Sequence, residues 1–355
     1  MPHLFEPLTI KSVTLRNRIG MSPMCMYSSV EGHANEWHFT HQVSRAVGGV
    51  ALVITEATAV TAEGRITPGD MGLWQDSQIE PLKRITDELK KHGAVPGIQL
   101  AHAGRKASAA LPWEGGASIS NEQGGWEILS VTDQAFGFDL TRSPKALDEA
   151  GIRRIIDAFR DAAARAVKAG YEWLEIHAAH GYLLHSFLSP LTNTRTDQYG
   201  GSFDNRLRML LEVISAVQAV WPKDKPLTVR ISASDWTEGG LTIEDSVKIS
   251  AKLKEAGIDL VDCSSGGLIG DAKIAVGAGY QLPFADRIKN ETGVMTAAVG
   301  MITDPMQADQ IIRNGQADLI LLGRELLRHP YWAHDAAIAV HKKDALKKPV
   351  QYGRS

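Results

Sequence analysis

The chain has 355 residues, with 38 Lys and Arg against 41 Asp and Glu and a formal net charge of −3. The charges are interspersed and form no basic block, which argues against nucleic-acid and membrane-surface partners. Met1 to Lys11 lacks the order of a signal peptide, no apolar run nears the roughly 18 residues of a membrane span, and two cysteines, Cys25 and Cys263, are too few for a disulfide framework or a four-cysteine zinc site, so the chain reads as cytoplasmic.

In chain order, short and nearly continuous apolar runs predict strands over Arg18 to Met21, Gly49 to Ala57, Val95 to Leu100, Tyr171 to Ile176, Leu227 to Ile231, Asp259 to Cys263, Val294 to Val299 and Leu319 to Leu322. Strands without a polar face belong to a parallel sheet covered on both sides. Between them, Ile152, Ile155, Ile156, Phe159 and Ala163 recur at helical spacing, as do Leu207, Leu210, Leu211, Ile214 and Val217, and predict crossover helices. Gly49, Gly93, Gly170, Gly257, Gly293 and Gly315 stand at the helix-to-strand joints, where a left-handed cap is needed; Trp221-Pro222 marks the remaining joint. Eight β/α units favour an α/β fold of the closed (β/α)8 TIM-barrel type over an open Rossmann sheet, with residues 1–355 as a single domain.

The longest insertion, His102 to Leu147, follows the third strand and carries Trp113, Trp126, Phe136 and Phe138. An ordered cap over the barrel mouth and a surface excursion with its own small core are both open readings. The basic tail from His341 ends in Tyr352-Gly353-Arg354-Ser355.

Chemistry in such barrels gathers at the C-terminal ends of the strands. There the chain places Ser22-Pro23-Met24-Cys25, Glu56-Ala57, Gln99 with His102, His177 and His180 on the turn after the fourth strand, Arg230, Ser264-Ser265-Gly266, Gly300, and Gly323-Arg324. Gly300, ahead of the helix-start signal Thr303-Asp304-Pro305, and Gly323 with Arg324 offer amides and a guanidinium after strands seven and eight, where barrels bind phosphate. A pair of histidines spaced H-x-x-H is also compatible with a metal-dependent hydrolase, with His102 or Glu56 as further ligands, although no third ligand has the usual spacing and no metal is expected. Pairing of Arg230 with an acid such as Asp262 is the weaker reading of that arginine, because it closes an otherwise apolar strand.

The chain resembles the old yellow enzymes, FMN-dependent ene reductases, and within them the thermophilic-like branch. The resemblance rests on L-F-E-P-L at Leu4, S-P-M-C-M-Y at Ser22, H-A-G-R-K at His102, H-A-A-H-G-Y-L at His177, R-T-D-Q-Y-G-G-S-F-D-N-R at Arg195, A-V-G-M-I-T at Ala298, L-G-R-E-L-L at Leu322 and Q-Y-G-R at Gln351. It implies that Ser22, Pro23, Met24, Ala57 and Gln99 hold the isoalloxazine of FMN, with Cys25 beside it tuning its potential. Arg230 would face N1 and O2, where a fixed cation stabilises the charge of the reduced ring, and Gly300, Gly323 and Arg324 would hold the phosphate. His177 and His180 would bind the oxygen of an activated alkene, Tyr27 would contact it, and Tyr182 would protonate it after hydride transfer, with NADPH or NADH as reductant in a ping-pong cycle. Arg354 would enter the active site of a neighbouring subunit in a homodimer or homotetramer. The seventh strand, Thr296-Ala-Ala-Val299, lacks the tryptophan of one subgroup. A dienoyl-CoA reductase would need an iron–sulfur cluster, for which two cysteines are too few.

Overall fold

The computed structural model describes residues 2–354. Eight parallel strands close into a barrel: β1 (Ile19–Met21), β2 (Leu52–Ala59), β3 (Val95–Ala101), β4 (Trp173–Ala178), β5 (Leu227–Ser232), β6 (Leu260–Ser264), β7 (Met295–Ala298) and β8 (Leu319–Leu322). β8 lies beside β1, with Ile320 opposite Ile19 and Leu322 opposite Met21, and this pairing shuts the ring. Helices α1 (Glu36–Val47), α2 (Ile79–Lys91), α3 (Glu149–Lys168), α4 (Phe203–Gln218), α5 (Ile243–Glu255), α6 (Leu282–Thr292), α7 (Pro305–Arg313) and α8 (Trp332–Ala339) follow the strands in turn. None is long and apolar enough to cross a membrane.

Two strands, β2 and β4, begin two or more residues later than the apolar runs predict, for one reason. After the left-handed Gly170 (φ 82°), Tyr171 N–H still donates to Ala166 O at 3.1 Å; after Gly49 (φ 100°), Val50 N–H donates to Arg45 O at 3.4 Å. Those apolar residues close the preceding helix before the chain extends, as in a Schellman cap. β4 accordingly runs on to Ala178, so His177 lies within the strand and not on the turn after it.

α3 shows how the crossovers are specified. Asp148 caps it by accepting from Gly151 N–H at 2.7 Å, and Ile152, Ile155, Phe159, Ala162, Ala163 and Ala166 form its buried stripe. Removing the cap costs about 1 kcal/mol, whereas Phe159→Ala, at a fully buried ring, costs about 3–5 kcal/mol.

The bottom of the barrel is plugged by an antiparallel hairpin that the strand count did not include, Leu8–Ile10 paired with Val13–Leu15. Its Leu8, Ile10, Val13 and Leu15 pack with Leu52, Ile54, Trp173, Leu260 and Leu319 inside the barrel. With that end sealed by apolar side chains, only the C-terminal mouth is left for chemistry.

In the His102–Leu147 insertion, Trp113 and Phe138 are exposed and do not form a core. Its buried centre is the small cluster of Ala103, Ala107 and Ile128, against which Ile66 and Tyr182 pack. The insertion is thus tied to the mouth through Tyr182 and through Trp113, whose ring meets that of Tyr27 edge-on with centroids 6.3 Å apart.

Candidate active site

The mouth holds a cavity of about 570 Å³, within the range of small-ligand and cofactor sites. Its lining brings together Ser22, Pro23, Met24, Cys25, Tyr27, Ala57, Gln99, His177, His180, Tyr182, Arg230, Gly300, Gly323 and Arg324, residues drawn from seven of the eight strand ends, with Ser264 supplied by the remaining one, β6. Of the site residues expected from sequence, Arg354 alone is absent from this lining; it is exposed on the C-terminal turn.

One wall is aromatic. The ring of His177 meets those of His180 and Tyr182 edge-on, with centroids 5.1 and 5.0 Å away. His177 Nδ1 accepts from Ala179 N–H at 3.3 Å, so the neutral ring carries its proton on Nε2. His180 Nε2 is 2.6 Å from Ser264 Oγ, leaving Nδ1 as the ring nitrogen available to a ligand. Burial, and after it the charge of Arg230, holds both imidazoles well below their ordinary value of 6.5, so they are neutral hydrogen-bonding groups at neutral pH. Burial pushes the Tyr182 phenol well above its ordinary value, and it keeps its proton.

The turn that carries His180 is over-determined. His180 sits at φ 59°, a conformation that costs a non-glycine residue about a kcal/mol or more. Its N–H donates to Ser232 Oγ at 2.9 Å, and its carbonyl accepts from Lys106 Nζ at 2.8 Å. Gly181 and Gly267, both at positive φ, let two loops touch: a Cβ on Gly181 would lie 2.3 Å from Gly267 O. Behind them Gly181 N–H donates to Nδ1 of the fully buried His185, whose Nε2 lies 2.9 Å from Asp235 Oδ1. Burial alone would raise the Asp235 carboxyl, but His185, Ser189 and the Leu241 N–H outweigh it and hold it low.

The opposite wall is polar and cationic. Gln99 Nε2 donates to Glu175 Oε1 at 2.8 Å, and Arg230 Nη1 donates to Ser22 Oγ at 3.0 Å. Arg230 Nε also lies 3.1 Å from Asp262 Oδ2, so the acid pairing weighed as the weaker reading is present, and it coexists with a place on the cavity wall. Asp262 faces inward on the neighbouring strand, directly opposite Arg230 in register, a pairing that the pattern within one strand does not reveal. At the outer edge Gly300 (φ 119°), Gly323 ahead of the short helix Arg324–Arg328, and the guanidinium groups of Arg324 and Arg328 line the cavity.

Cys25 and Tyr27 stand on the loop after β1. Burial pushes the Cys25 thiol well above its ordinary value, with Asp70 and Glu56 adding to the effect, so it is a neutral thiol and not a nucleophilic thiolate. The loop is held from below: β2 bulges between Thr55 and Ala57, which turns Ala57 inward and lets Glu56 Oε2 accept from Met26 N–H at 2.8 Å. His102 is also directed elsewhere, its Nδ1 accepting from Gly104 N–H at 3.1 Å and its ring against Gly64. The two residues entertained as further metal ligands therefore do not join His177 and His180, and no cluster of metal-ligating side chains occurs among the described residues.

Sequence reasoning placed Ser264 on the rim without a role and missed Tyr280, Met301 and Arg328 on the wall, and Lys106 behind it. A polar residue ending β6 was visible; its contact with His180 was not.

The wall fits an FMN. Arg230 Nη2 donates no hydrogen bond to protein among the described residues, which leaves a guanidinium N–H for an electron-rich ring edge, and arginines at the outer end suit a phosphate. Residues 3–342 match the NADH:flavin oxidoreductase / NADH oxidase family. The NADPH dehydrogenase of Geobacillus sp. (strain WCH70) is 50% identical over 336 residues, 94% of this chain and 93% of that protein. Among solved structures, 2-naphthoyl-CoA reductase with 2-naphthoyl-CoA superposes with a TM-score of 0.86 at 25% identity over 96% of this chain, which spans 53% of that one. The old yellow enzyme homologue from Zymomonas mobilis gives a TM-score of 0.78 at 25% identity, covering 99% of this chain and 96% of that one. The chain belongs to the NADH:flavin oxidoreductase / NADH oxidase family, that of the old yellow enzymes, and is an FMN-dependent oxidoreductase with NADPH as reductant.

Proposed function

We propose that the enzyme reduces the carbon–carbon double bond of activated alkenes, namely α,β-unsaturated aldehydes and ketones, nitroalkenes and maleimides, in a ping-pong cycle. The observation that carries this reading is the convergence of His177, His180 and Tyr182, each a neutral hydrogen-bonding group, on one wall of a cavity whose other wall suits a flavin. FMN, when bound, would supply the redox chemistry, hydride acceptance from the nicotinamide and hydride delivery to the alkene.

The chain's own residues do the rest. Ser22, Pro23, Met24, Cys25, Ala57, Gln99 and Arg230 hold the ring system, and Gly300, Gly323 and Arg324 hold the phosphate. His177 Nε2–H and His180 Nδ1 bind the carbonyl or nitro oxygen, and withdrawing electron density there makes the β-carbon electrophilic. Tyr182 donates its proton to the α-carbon, a role that suits a buried phenol. Tyr27 borders the substrate beside Cys25, whose neutral thiol tunes the flavin. Residues 1–355 act as one FMN-binding domain, and Arg354 completes the site of a neighbouring subunit in a homodimer or homotetramer.

The test is an anaerobic double-mixing experiment. NADPH should bleach the flavin absorption, and cyclohexenone added afterwards should restore it at a rate that rises with its concentration. A bleached enzyme that only oxygen can restore would overturn the alkene reading.

A further inference from the structure

The barrel interior turns from apolar to charged within one layer. Below, Leu52, Ile54, Trp173, Leu260 and Leu321 pack against each other. Above them the inward positions of four adjacent strands are Gln99, Glu175, Arg230 and Asp262, with Gln99 opposite Glu175 and Arg230 opposite Asp262 in register. All four are buried. Among the described residues, the Glu175 side chain has its one hydrogen bond from Gln99. Asp262 approaches Arg230 at 3.1 Å, yet neither of its oxygens has a hydrogen-bond partner among the described residues.

Two carboxyl groups therefore share one cation in a dry interior. Both ionised, they would leave an uncompensated negative charge there, so the layer holds a proton. Burial pushes Glu175 up to about 8 and Asp262 up to about 6, in each case against the pull of Arg230. The other titratable groups at the layer are His177 on β4, held neutral, and Cys263 on the outward side of β6, whose thiol burial keeps protonated. On the flanking strands Gln99 faces Ala57 of β2 and Asp262 faces Ala297 of β7, neither of which titrates.

We propose that Asp262 and Glu175 form a proton store coupled to the flavin through Arg230: when the ring gains negative charge on reduction, the pair takes up one proton from solvent and returns it on reoxidation. The inference rests on Arg230 facing the flavin, as in the function proposed above. A second anion beside Arg230 competes with Asp262 for its charge and raises the proton affinity of the carboxylate, on the order of tenfold. The balance is simple. NADPH loses a hydride, the flavin gains its two electrons and proton, and one carboxylate plus one solvent proton becomes a carboxylic acid.

The experiment is a spectroelectrochemical titration of the holoenzyme across the pH range spanning both acids, for the wild type, Asp262→Asn and Glu175→Gln. In the window of roughly one pH unit just above the Asp262 titration, where the oxidised enzyme holds the group ionised and the reduced enzyme protonates it, the wild type should take up clearly more than one proton per two electrons, and Asp262→Asn only one, with a higher potential. Glu175→Gln keeps an oxygen for Gln99 and should lose the bend that Glu175 introduces on the alkaline side. A wild-type uptake of one proton throughout would overturn the proposal. So would an uptake of more than one proton kept by Asp262→Asn, which would put the extra proton on the flavin itself. If Asp262→Asn fails to fold or to hold FMN, an unaltered profile in Glu175→Gln has the same force. A yellow enzyme with these negative results defeats the proton store alone, whereas protein that binds no FMN defeats the functional reading with it.

Discussion

His180 Nε2 and Ser264 Oγ lie 2.6 Å apart, so an imidazole borne on the turn after β4 is fixed by a hydroxyl at the end of β6, across the width of one strand. The contact occupies one ring nitrogen of His180 and sets the direction of the other. Ser264→Ala removes that restraint without touching the flavin wall. It should weaken binding of a phenol-type ligand by about 1 kcal/mol, roughly fivefold, with a similar loss in the alkene half-reaction. Titration of the visible spectrum with phenol measures the first effect, and an affinity equal to wild type would show that Ser264 does not orient the ring.

The eight-unit barrel and most of the cavity wall were legible in the chain. Six glycines at helix-to-strand joints, all found at positive φ, mark the repeat, and strand ends locate the mouth. What stayed hidden depends on which residues face each other across strands. Asp262 sits two residues past Leu260 in a run that reads as plain core, and only the parallel register with β5 brings it to Arg230. The bulge at Glu56 was invisible for a similar reason: one extra residue in β2 reverses which side chain points inward, and no residue type announces it. Lys106 reaches His180 O and Gly267 O through loop geometry that local spacing does not encode.

His177→Ala removes a neutral donor from the oxygen site. The loss should be about 1–3 kcal/mol in phenol binding, roughly 5- to 150-fold, with flavin reduction by NADPH much less affected. Because burial keeps both imidazoles neutral, the wild-type affinity should show no inflection near pH 6.5, their ordinary value. Ligand titrations across that pH would expose a charged histidine if the two rings titrated there.

Tyr182→Phe deletes the proposed proton donor and leaves the ring that packs against Ala103, Ala107 and Ile128. The oxidative half-reaction should slow by about 100-fold or more, the usual scale of a general acid. With its pKa raised by burial, the phenol stays protonated across neutral pH, so the wild-type rate should be flat there with respect to this group. Stopped-flow reoxidation by an enone measures both, and a variant as fast as wild type would make the phenol dispensable.

Truncation after Pro349 removes the turn Val350–Tyr352, whose Tyr352 hydroxyl lies 3.2 Å from that of Tyr331, together with the exposed Arg354. If the tail completes a neighbour's site, the truncated enzyme should keep its bound flavin and lose affinity for the alkene, seen as a raised KM. An unchanged KM in an enzyme of unchanged oligomeric state would leave Arg354 without that role.

Glu56 ties acid–base behaviour to the loop that carries Cys25 and Tyr27. Burial pushes its carboxyl from 4.5 up to about 8, although the Met26 N–H favours the charged form. A raised carboxyl means that the folded state holds a proton the unfolded chain has released. Its contribution to stability is therefore complete below pH 4.5 and drains as pH rises through about 8, by about 1.4 kcal/mol per pH unit between the two. His38, whose Nε2 is 3.4 Å from Glu56 Oε1, acts with the opposite sign: burial holds it down to about 4, so its contribution is full above 6.5 and lost on acidification. Glu56→Gln keeps an oxygen for Met26 and removes only the first of these slopes. The urea midpoint of the variant should gain on wild type steadily from pH 4.5 towards pH 8 and then level off, whereas a constant difference would mean that Glu56 is ionised in the folded enzyme throughout.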